Sequence, residues 1–226
     1  MQRGRLREFF QLNMDILGIK EVNADAELIA AVVDMMRDLG FDGTDFTVHV
    51  SSRRLLEELF VACGVPREAL ADLYALLDKR SNLPAEEFQR QMTDVVRRDD
   101  TRTKINDILA ARSLREIGDM AGSLGSYEEL TNLLELLDIY GMNDVVAFDI
   151  GIVRGLAYYS GIVFEVFDKR KTLRAIAGGG RYDHLVKAYG GPDTPAVGFA
   201  AGDVVLGELM RDKQIVPRAQ ARCDVY

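Results

Sequence analysis

Two short segments in the second half of the chain bring together arginine, glycine and tyrosine. Residues 154–161 read RGLAYYSG, and residues 177–183 read AGGGRYD. Arg154 could supply a planar, bidentate cation that stabilises charge on phosphoryl oxygens, or it could be an ordinary surface residue or helix cap. The glycines could let the backbone come close to a ligand, or they could form a tight turn that needs positive φ.

A third candidate is the polar side of the first predicted strand, at residues 5–16. Alternation predicts that the even positions face mainly inward; these are Leu6, Glu8, Phe10, Leu12, Met14 and Ile16. The odd positions then share an open face; these are Arg5, Arg7, Phe9, Gln11, Asn13 and Asp15. The simpler interpretation is a solvated strand surface, although such surfaces more often carry Thr, Lys and Glu.

The composition predicts a soluble globular protein, with 48% hydrophobic residues among 226. A formal net charge of −8 offers no general attraction for nucleic acid. Cys63 and Cys223 lie far apart in the sequence, which predicts free thiols in a reducing compartment. His49 and His184 have no partners at metal-ligand spacing. No apolar run approaches the roughly 18 residues of a membrane-spanning helix, so we expect a cytoplasmic protein without a membrane partner.

The order of the predicted elements indicates an α+β fold with a helical insertion. Strands are predicted at residues 5–16, 46–50, 145–150, 162–167, 174–177 and 196–201, and helices outside the insertion at 25–39, 181–189 and 204–210. Asp25 is predicted to cap the first helix and Gly40 to end it. Between residues 52 and 142 the spacing of apolar residues becomes helical, at 53–63, 67–79, 85–98, 103–111 and 127–140. Strands that flank a helical block favour α+β over alternating βαβ units.

Taken together, these segments resemble the catalytic core of the histidyl-tRNA synthetase family, which belongs to the class II aminoacyl-tRNA synthetases. The family carries RGLxYY and GGRYD in this order, residues 3–18 resemble the second half of its motif 2, and PAVGFAAG at 195–202 resembles the start of its motif 3. The resemblance implies an antiparallel sheet flanked by helices, with an all-helical insertion. It divides the chain into core residues 1–51, an insertion at 52–142, further core at 143–216, and a linker at 217–226.

The resemblance also implies a role for individual residues. Histidine binding falls to Gln11, Asp15, Tyr159 and Tyr182, and ATP binding to Arg5, Phe9 and Arg154, with Phe9 under the adenine. Arg154 is the catalytic residue, because a histidine carboxylate that attacks the α-phosphorus is already ionised and needs no base, whereas the charge on the phosphoryl oxygens needs stabilisation. The implied reaction joins L-histidine to ATP and then to tRNA(His), with Mg²⁺ carried by the nucleotide and no protein metal ligands.

The sequence departs from the family pattern at three positions. Asp15 stands where the family more often has Glu, Ala157 where it usually has Asp, and Val205 where motif 3 usually has an arginine. The absent arginine leaves a second function open, that of a non-catalytic paralogue that acts as a regulatory subunit of ATP phosphoribosyltransferase. The retained Arg154 and Tyr159 argue against it. A third alternative is a helical-insertion scaffold that binds no ligand.

The resemblance covers nearly the whole chain, but the chain covers only part of the family. Motif 1 and the first half of motif 2 are expected before Met1, and residues 221–226 resemble the start of an anticodon-binding domain. We therefore expect an internal fragment or a truncated product of a synthetase that is a homodimer when intact. On its own, the fragment is expected to be inactive.

Overall fold

The computed structural model describes residues 8–80 and 83–216. Its strands are β1 Gln11–Leu17, β2 Phe46–Ser52, β3 Val146–Phe148, β4 Ile162–Asp168, β5 Ala177–Arg181 and β6 Ala196–Gly202. They form one sheet in the order β1-β6-β5-β4-β2-β3. The β2–β3 pairing is parallel and the other pairings are antiparallel. Together with the helices, this confirms the predicted α+β class.

The helices lie before, within and after the predicted insertion. They are α1 Asn23–Asp38, α2 Arg53–Ala62, α3 Leu70–Asp78, α4 Ala85–Val95, α5 Asp99–Ala110, α6 Leu114–Ala121, α7 Gly125–Ile139, α8 Leu185–Ala188 and α9 Asp203–Lys213. The described residues between β2 and β3 contain no strand. Buried side chains of α2, α3 and α7 belong to the same hydrophobic core as α1 and the sheet. The division into sheet parts and an insertion stays a prediction.

Helix α6 is absent from the sequence-based prediction, although the sequence carries its start signal. The Ser113 hydroxyl accepts a hydrogen bond from the Glu116 N–H at 3.3 Å, and the Glu116 carboxylate accepts one from the Arg112 N–H at 3.0 Å. A serine followed three residues later by glutamate is a capping signal. The sequence-based prediction has no element between residues 111 and 127, but the local cap and the burial of Ile117 stabilise a helix there.

The register separates the sheet into two faces. On one face, the row Met14, Phe199, Gly179, Phe164 and Val50 crosses the sheet. On the other face, a row runs through Asn13, Ala200, Gly178, Glu165 and His49. The first row belongs largely to the core, where Phe164 and Val50 are fully buried. The second row carries the small and polar residues, and we call its side of the sheet the open face.

Strand β1 corrects the predicted burial of its even positions. Leu12 and Met14 are exposed, at 56% and 40%, and of the predicted inward set within β1 only Ile16 packs against the core. The alternation itself is real, because these side chains point to the core face. They stay exposed because β1 is the outermost strand of the described sheet, where alternation fixes direction but not cover.

Two further local predictions are wrong. Asp25 is not a helix cap, since α1 begins at Asn23 and Asp25 is buried inside its first turn. The glycines at 178–180 do not form a turn between a strand at 174–177 and a helix. They are the centre of strand β5, and the helix that follows is shorter than predicted. Tertiary contacts explain both differences, because Asp25 meets an arginine from β5 and the glycines lie under side chains from other segments.

The structure also bears on the predictions for the cysteines and for membrane-spanning helices. Cys63 is a free thiol, and Cys223 lies outside the described residues, as do Arg5 and the linker at 217–226. None of the helices in the described ranges is both long and apolar enough to cross a membrane.

Candidate functional site

The centre of the open face is a floor of residues without bulky side chains. In β5 and β6, Gly180 lies opposite Gly198, and Gly178 lies opposite Ala200. A Cβ atom on Gly178 would collide with the Arg154 guanidinium, and one on Gly180 would come within 3.0 Å of the Tyr159 ring. The glycines of the AGGGRYD segment therefore make room for side chains above the sheet, which is a role in close approach and not in a turn.

At one end of this floor, Tyr182 and Asp15 are in direct contact. The Tyr182 hydroxyl donates a hydrogen bond to the Asp15 carboxylate. A Cβ atom on Gly198 would collide with both partners, which places their contact on the open face. Burial, followed by the hydrogen bond to Asp15, raises the pKa of Tyr182 above its ordinary value. The hydroxyl group therefore keeps its proton at neutral pH and remains a donor.

The tyrosines of the RGLAYYSG segment extend this contact across the floor. The Tyr158 ring lies edge-on to the Tyr182 ring, with centroids 5.8 Å apart, and it also packs against Tyr159 at 4.7 Å. Tyr159 is only 6% exposed. Burial is the main reason that the pKa of Tyr158 rises to about 12. The three rings form an aromatic wall with one polar end at Asp15.

Arg154 lies at the opposite end of the wall. Its guanidinium forms an ion pair with Glu165 of β4 and lies 5.8 Å from the centre of the Tyr159 ring. Its Nε is buried and has no hydrogen-bond partner among the described residues. Burial opposes protonation, but Glu165 nevertheless raises the pKa of Arg154. The site thus holds a fixed cation whose donors are only partly used.

The backbone of Arg154 is also unusual. Its φ is +48°, in the left-handed region that residues with a side chain rarely adopt. Such conformations persist where the surroundings over-determine them, and they are concentrated at functional sites. Lys171 and Gln214 also have positive φ, so the backbone of Arg154 supports a functional role only together with its side-chain contacts.

Arg181, the other arginine of the two segments, points to the core face. It pairs with the buried carboxylate of Asp25, with Nε–O distances of 3.0 and 3.1 Å, and it donates to the carbonyls of Ile19 and Glu21 at 3.1 and 3.2 Å. Only 3% of its side chain is exposed. Arg181 fastens the start of α1 to the end of β5, immediately before Tyr182.

The remaining predicted site residues are not joined to this cluster by a contact. Gln11 shares the open face with Asp15, but it lies four residues away along β1, about 13 Å at the usual rise of a strand. Phe9 precedes β1 and is 55% exposed, and Arg5 lies outside the described residues. The binding roles of all the predicted site residues stay predictions. These residues are Arg5, Phe9, Gln11, Asp15, Arg154, Tyr159 and Tyr182.

Sequence reasoning missed Glu165 and Tyr158. Glu165 is the single charged residue before the end of the apolar strand β4, whose sequence is IVFEVFD. A lone carboxylate in an otherwise buried strand is a signal for a paired partner. Nothing in the sequence identified Arg154 as that partner, because the two residues come from different segments that only the fold brings together.

The described side chains also bear on metal binding and on the motif 3 position. Within residues 8–80 and 83–216, no group of three His, Cys, Asp or Glu side chains is arranged to hold a metal ion. His49 lies 3.1 Å from the Asp149 carboxylate. Val205, where an arginine was expected from the resemblance, lies in α9 and is 8% exposed within the core.

The sequence and the fold of the chain are similar to those of known proteins. The chain is 40% identical over 218 residues to the chloroplastic/mitochondrial histidine–tRNA ligase of Arabidopsis thaliana, with 96% of this chain and 45% of the relative covered. The fold matches the histidyl-tRNA synthetase of Nostoc sp. PCC 7120 with a TM-score of 0.82 at 21% identity, covering 96% of this chain and 53% of that one.

A second structure of similar fold is described as an ATP phosphoribosyltransferase regulatory subunit/histidyl-tRNA synthetase from Bacillus halodurans C. Its TM-score is 0.75 at 24% identity, and the match covers 89% of this chain and 53% of that one. The chain thus spans about half the length of these relatives. The family model for histidyl-tRNA synthetase matches residues 1–203. The chain therefore belongs to the histidyl-tRNA synthetase family.

Proposed function

We propose that this chain forms part of the catalytic core of a histidine–tRNA ligase and that its open face binds histidine and the adenylate. The observation that carries the proposal is the Tyr182–Asp15 contact, which lies on the same glycine floor as the partly buried cation of Arg154. One end of this face can accept an N–H donor, and the other end can stabilise negative charge. L-Histidine and its adenylate carry these groups at their two ends.

The Asp15 end of the open face binds the imidazole ring of histidine. An ionised carboxylate has about four acceptor positions, so Asp15 can accept an imidazole N–H while it keeps the hydrogen bond from Tyr182. An apolar side chain of similar size would leave this acceptor unmatched, which is the kind of discrimination that a polar pocket achieves. The aspartate is shorter than the family's usual glutamate, and the Tyr182 hydroxyl fills the remaining distance.

The Arg154 end acts on the reacting groups. The histidine carboxylate is ionised at neutral pH and attacks the α-phosphorus without a general base. Arg154 is already charged and ordered by Glu165, so it can stabilise charge on the phosphoryl oxygens without reorganisation. Its buried Nε has no partner among the described residues, so the protein does not use all the donors of this guanidinium.

The other substrates follow from the family. ATP brings Mg²⁺ with its phosphates, since Mg²⁺ binds largely to substrate phosphates and water, and the described residues contain no metal cluster of their own. The tRNA(His) substrate, the homodimer and a cytoplasmic location belong to the intact protein in this proposal.

Calorimetric titration of the 226-residue chain tests the function. We expect it to bind L-histidine, and to bind a sulfamoyl analogue of histidyl-adenylate more tightly, because the analogue also reaches Arg154. Tyr182→Phe should weaken histidine binding about tenfold, the order expected for one lost hydrogen bond. Tyr189→Phe, at a side chain that is 87% exposed, is the matched control. Failure to bind either ligand contradicts the proposal.

A second function is favoured by Val205. Burial of an apolar side chain at the motif 3 position, together with the fold match to the Bacillus halodurans protein, supports a non-catalytic synthetase paralogue that acts as a regulatory subunit of ATP phosphoribosyltransferase. Such a protein has no need of an adenylating arginine. Histidine binding with no preference for the adenylate analogue would favour this second function over the first.

A further inference from the structure

Arg53, the first residue of α2, holds both ends of the loop that carries Arg154. Its side chain donates hydrogen bonds to the carbonyls of Leu156 at 2.9 Å and Arg154 at 3.3 Å. Its backbone N–H donates to the carbonyl of Gly161 at 2.9 Å. One residue therefore ties down the first and last parts of residues 154–161, which include Tyr158 and Tyr159.

Arg53 is itself fixed by α3. Its guanidinium lies 4.3 Å from the centre of the Tyr74 ring, and the Tyr74 hydroxyl donates to the Arg53 carbonyl at 3.1 Å. Tyr74 is only 5% exposed, so the stack is held by the core. Asp78, at the end of the same helix, lies so close to Gly155 that a Cβ atom there would be 2.6 Å from its carboxylate.

These contacts surround the left-handed residue. With φ at +48°, Arg154 occupies a conformation that an unrestrained loop would leave. Its own carbonyl is one of the two that Arg53 binds, and the other belongs to Leu156, two residues later. The contacts of Arg53 thus begin at the carbonyl of the strained residue and continue along the loop that follows it, whereas Glu165 restrains only the far end of the side chain.

We propose that Arg53 is a positioning residue, which acts through Arg154 to set the geometry of the adenylate end of the open face. The ligand named here rests on the function proposed above. The mechanism is preorganisation: a cation held in its working position binds phosphoryl oxygens more strongly than one that must first be ordered. The segment between β2 and β3 therefore contributes to the site through α2 and α3, although its side chains do not line the glycine floor.

Arg54 provides a matched control. It is the next residue of the same helix, its side chain is 59% exposed, and it pairs with Glu58 one turn later. Arg54→Met and Arg53→Met remove the same atoms from adjacent positions and keep the aliphatic part of each side chain. A difference between them reports the contacts of Arg53 and not the loss of a positive charge from α2.

Hydrogen exchange tests the positioning without any ligand. In Arg53→Met, amides in residues 154–161 should exchange about tenfold faster, as expected when hydrogen bonds that hold a segment are lost. Peptides from β4 and β6 should exchange as in the wild type, which shows that the sheet is intact. Arg54→Met should leave the loop unchanged. Unaltered exchange of the loop in Arg53→Met overturns the proposal.

A double-mutant cycle then tests whether Arg53 acts through Arg154. Arg53→Met should weaken the sulfamoyl adenylate analogue about tenfold and L-histidine less than about threefold, and Arg53→Lys should restore part of the loss. In the Arg154→Ala background, Arg53→Met should add nothing further, because coupled residues are not additive. Additive losses, or equal losses for both ligands, overturn the proposal. If the wild type binds neither ligand, the proposed function fails, and hydrogen exchange alone decides on Arg53.

Discussion

The two arginines of the signature segments lie on opposite faces of the sheet and have opposite environments. Arg181 and Asp25 are 3% and 1% exposed, and the guanidinium is surrounded by carboxylates and carbonyls. Arg154 and Glu165 are 19% and 20% exposed, and the Nε of Arg154 has no partner among the described residues.

The difference separates an arginine whose donors are satisfied within the fold from one for which we propose a ligand-binding role. A buried cation costs energy unless its donors are matched, and the donors of Arg181 are matched by the protein itself. Arg154 retains an Nε without a partner among the described residues, its side chain is 19% exposed, and its φ is positive, a conformation that is often found at functional sites. The degree to which donors are satisfied thus assigns the roles, which the residue type alone does not.

Removal of Arg181 should have the largest effect on stability. Arg181→Ala leaves the Asp25 carboxylate buried without a partner, which typically costs about 3–5 kcal/mol. Urea denaturation followed by circular dichroism measures the loss. The control is Arg67→Ala, whose exposed pair with Glu57 should contribute less than about 1 kcal/mol. Equal midpoints for the two variants would contradict a structural role for Arg181.

Removal of Arg154 should affect chemistry and not folding. In a protein that also contains the family segments beyond these 226 residues, Arg154→Ala should slow adenylate formation about 10³-fold, with a much smaller change in histidine affinity. Arg154→Lys should recover little, since a point charge does not reproduce the planar fork. Single-turnover adenylate formation measures both. A loss confined to histidine affinity would sink the assignment.

The 226-residue chain itself should show no measurable ATP–pyrophosphate exchange, for which the control is a full-length family member assayed in parallel. Robust histidine-dependent exchange by the chain would mean that another cation replaces the arginine expected at Val205. It would also weaken the contrast between the two arginines, because Arg154 would no longer be the main cation at the reacting centre.

A methyl group on the glycine floor should sharpen the contrast between the two faces. Gly198→Ala places a Cβ atom against Asp15 and Tyr182, so histidine affinity should fall about tenfold, close to one lost hydrogen bond. Gly202→Ala is the control in the same strand and on the same face, because a Cβ atom there meets nothing within 4 Å. Titration calorimetry measures both variants. Equal affinities would show that the ligand does not depend on the Asp15–Tyr182 contact.

The smallest expected effect is a pH dependence of stability that arises from the buried Asp25–Arg181 pair. Burial raises the pKa of Asp25 from 3.8 to about 6, although Arg181 opposes the rise. Because the folded-state pKa is above the unfolded one, the contribution of Asp25 to stability is full below pH 3.8 and is lost as the pH rises through about 6. The wild type should therefore gain stability relative to Asp25→Asn when the pH is lowered from about 7 to about 4.5. Urea midpoints at both values measure this, and a constant difference would contradict it.

The fold class, the order of most elements and the family could all be predicted from the sequence alone. Apolar spacing identifies helices such as α1 and strands such as β2 because each pattern is local, and the two signature segments are specific in their order. Local patterns also predicted which side of β1 carries Gln11 and Asp15. They did not predict that Leu12 and Met14 lie exposed, because cover depends on neighbours that alternation does not describe.

The contacts between the signature residues and their partners could not be predicted from the sequence and are seen only in the fold. The glycines, for which a turn was one prediction, form a strand beneath Arg154 and Tyr159. Asp25, which was predicted to be a cap, forms a buried pair with Arg181. The fold also joins Arg53 to the Arg154 loop and Glu165 to the Arg154 guanidinium. Each of these partners is distant in sequence, and a pattern in one segment carries no information about which donor another segment will bring to it. The physical reason is that pairing and burial are set by three-dimensional proximity, whereas periodicity fixes only the direction of each side chain.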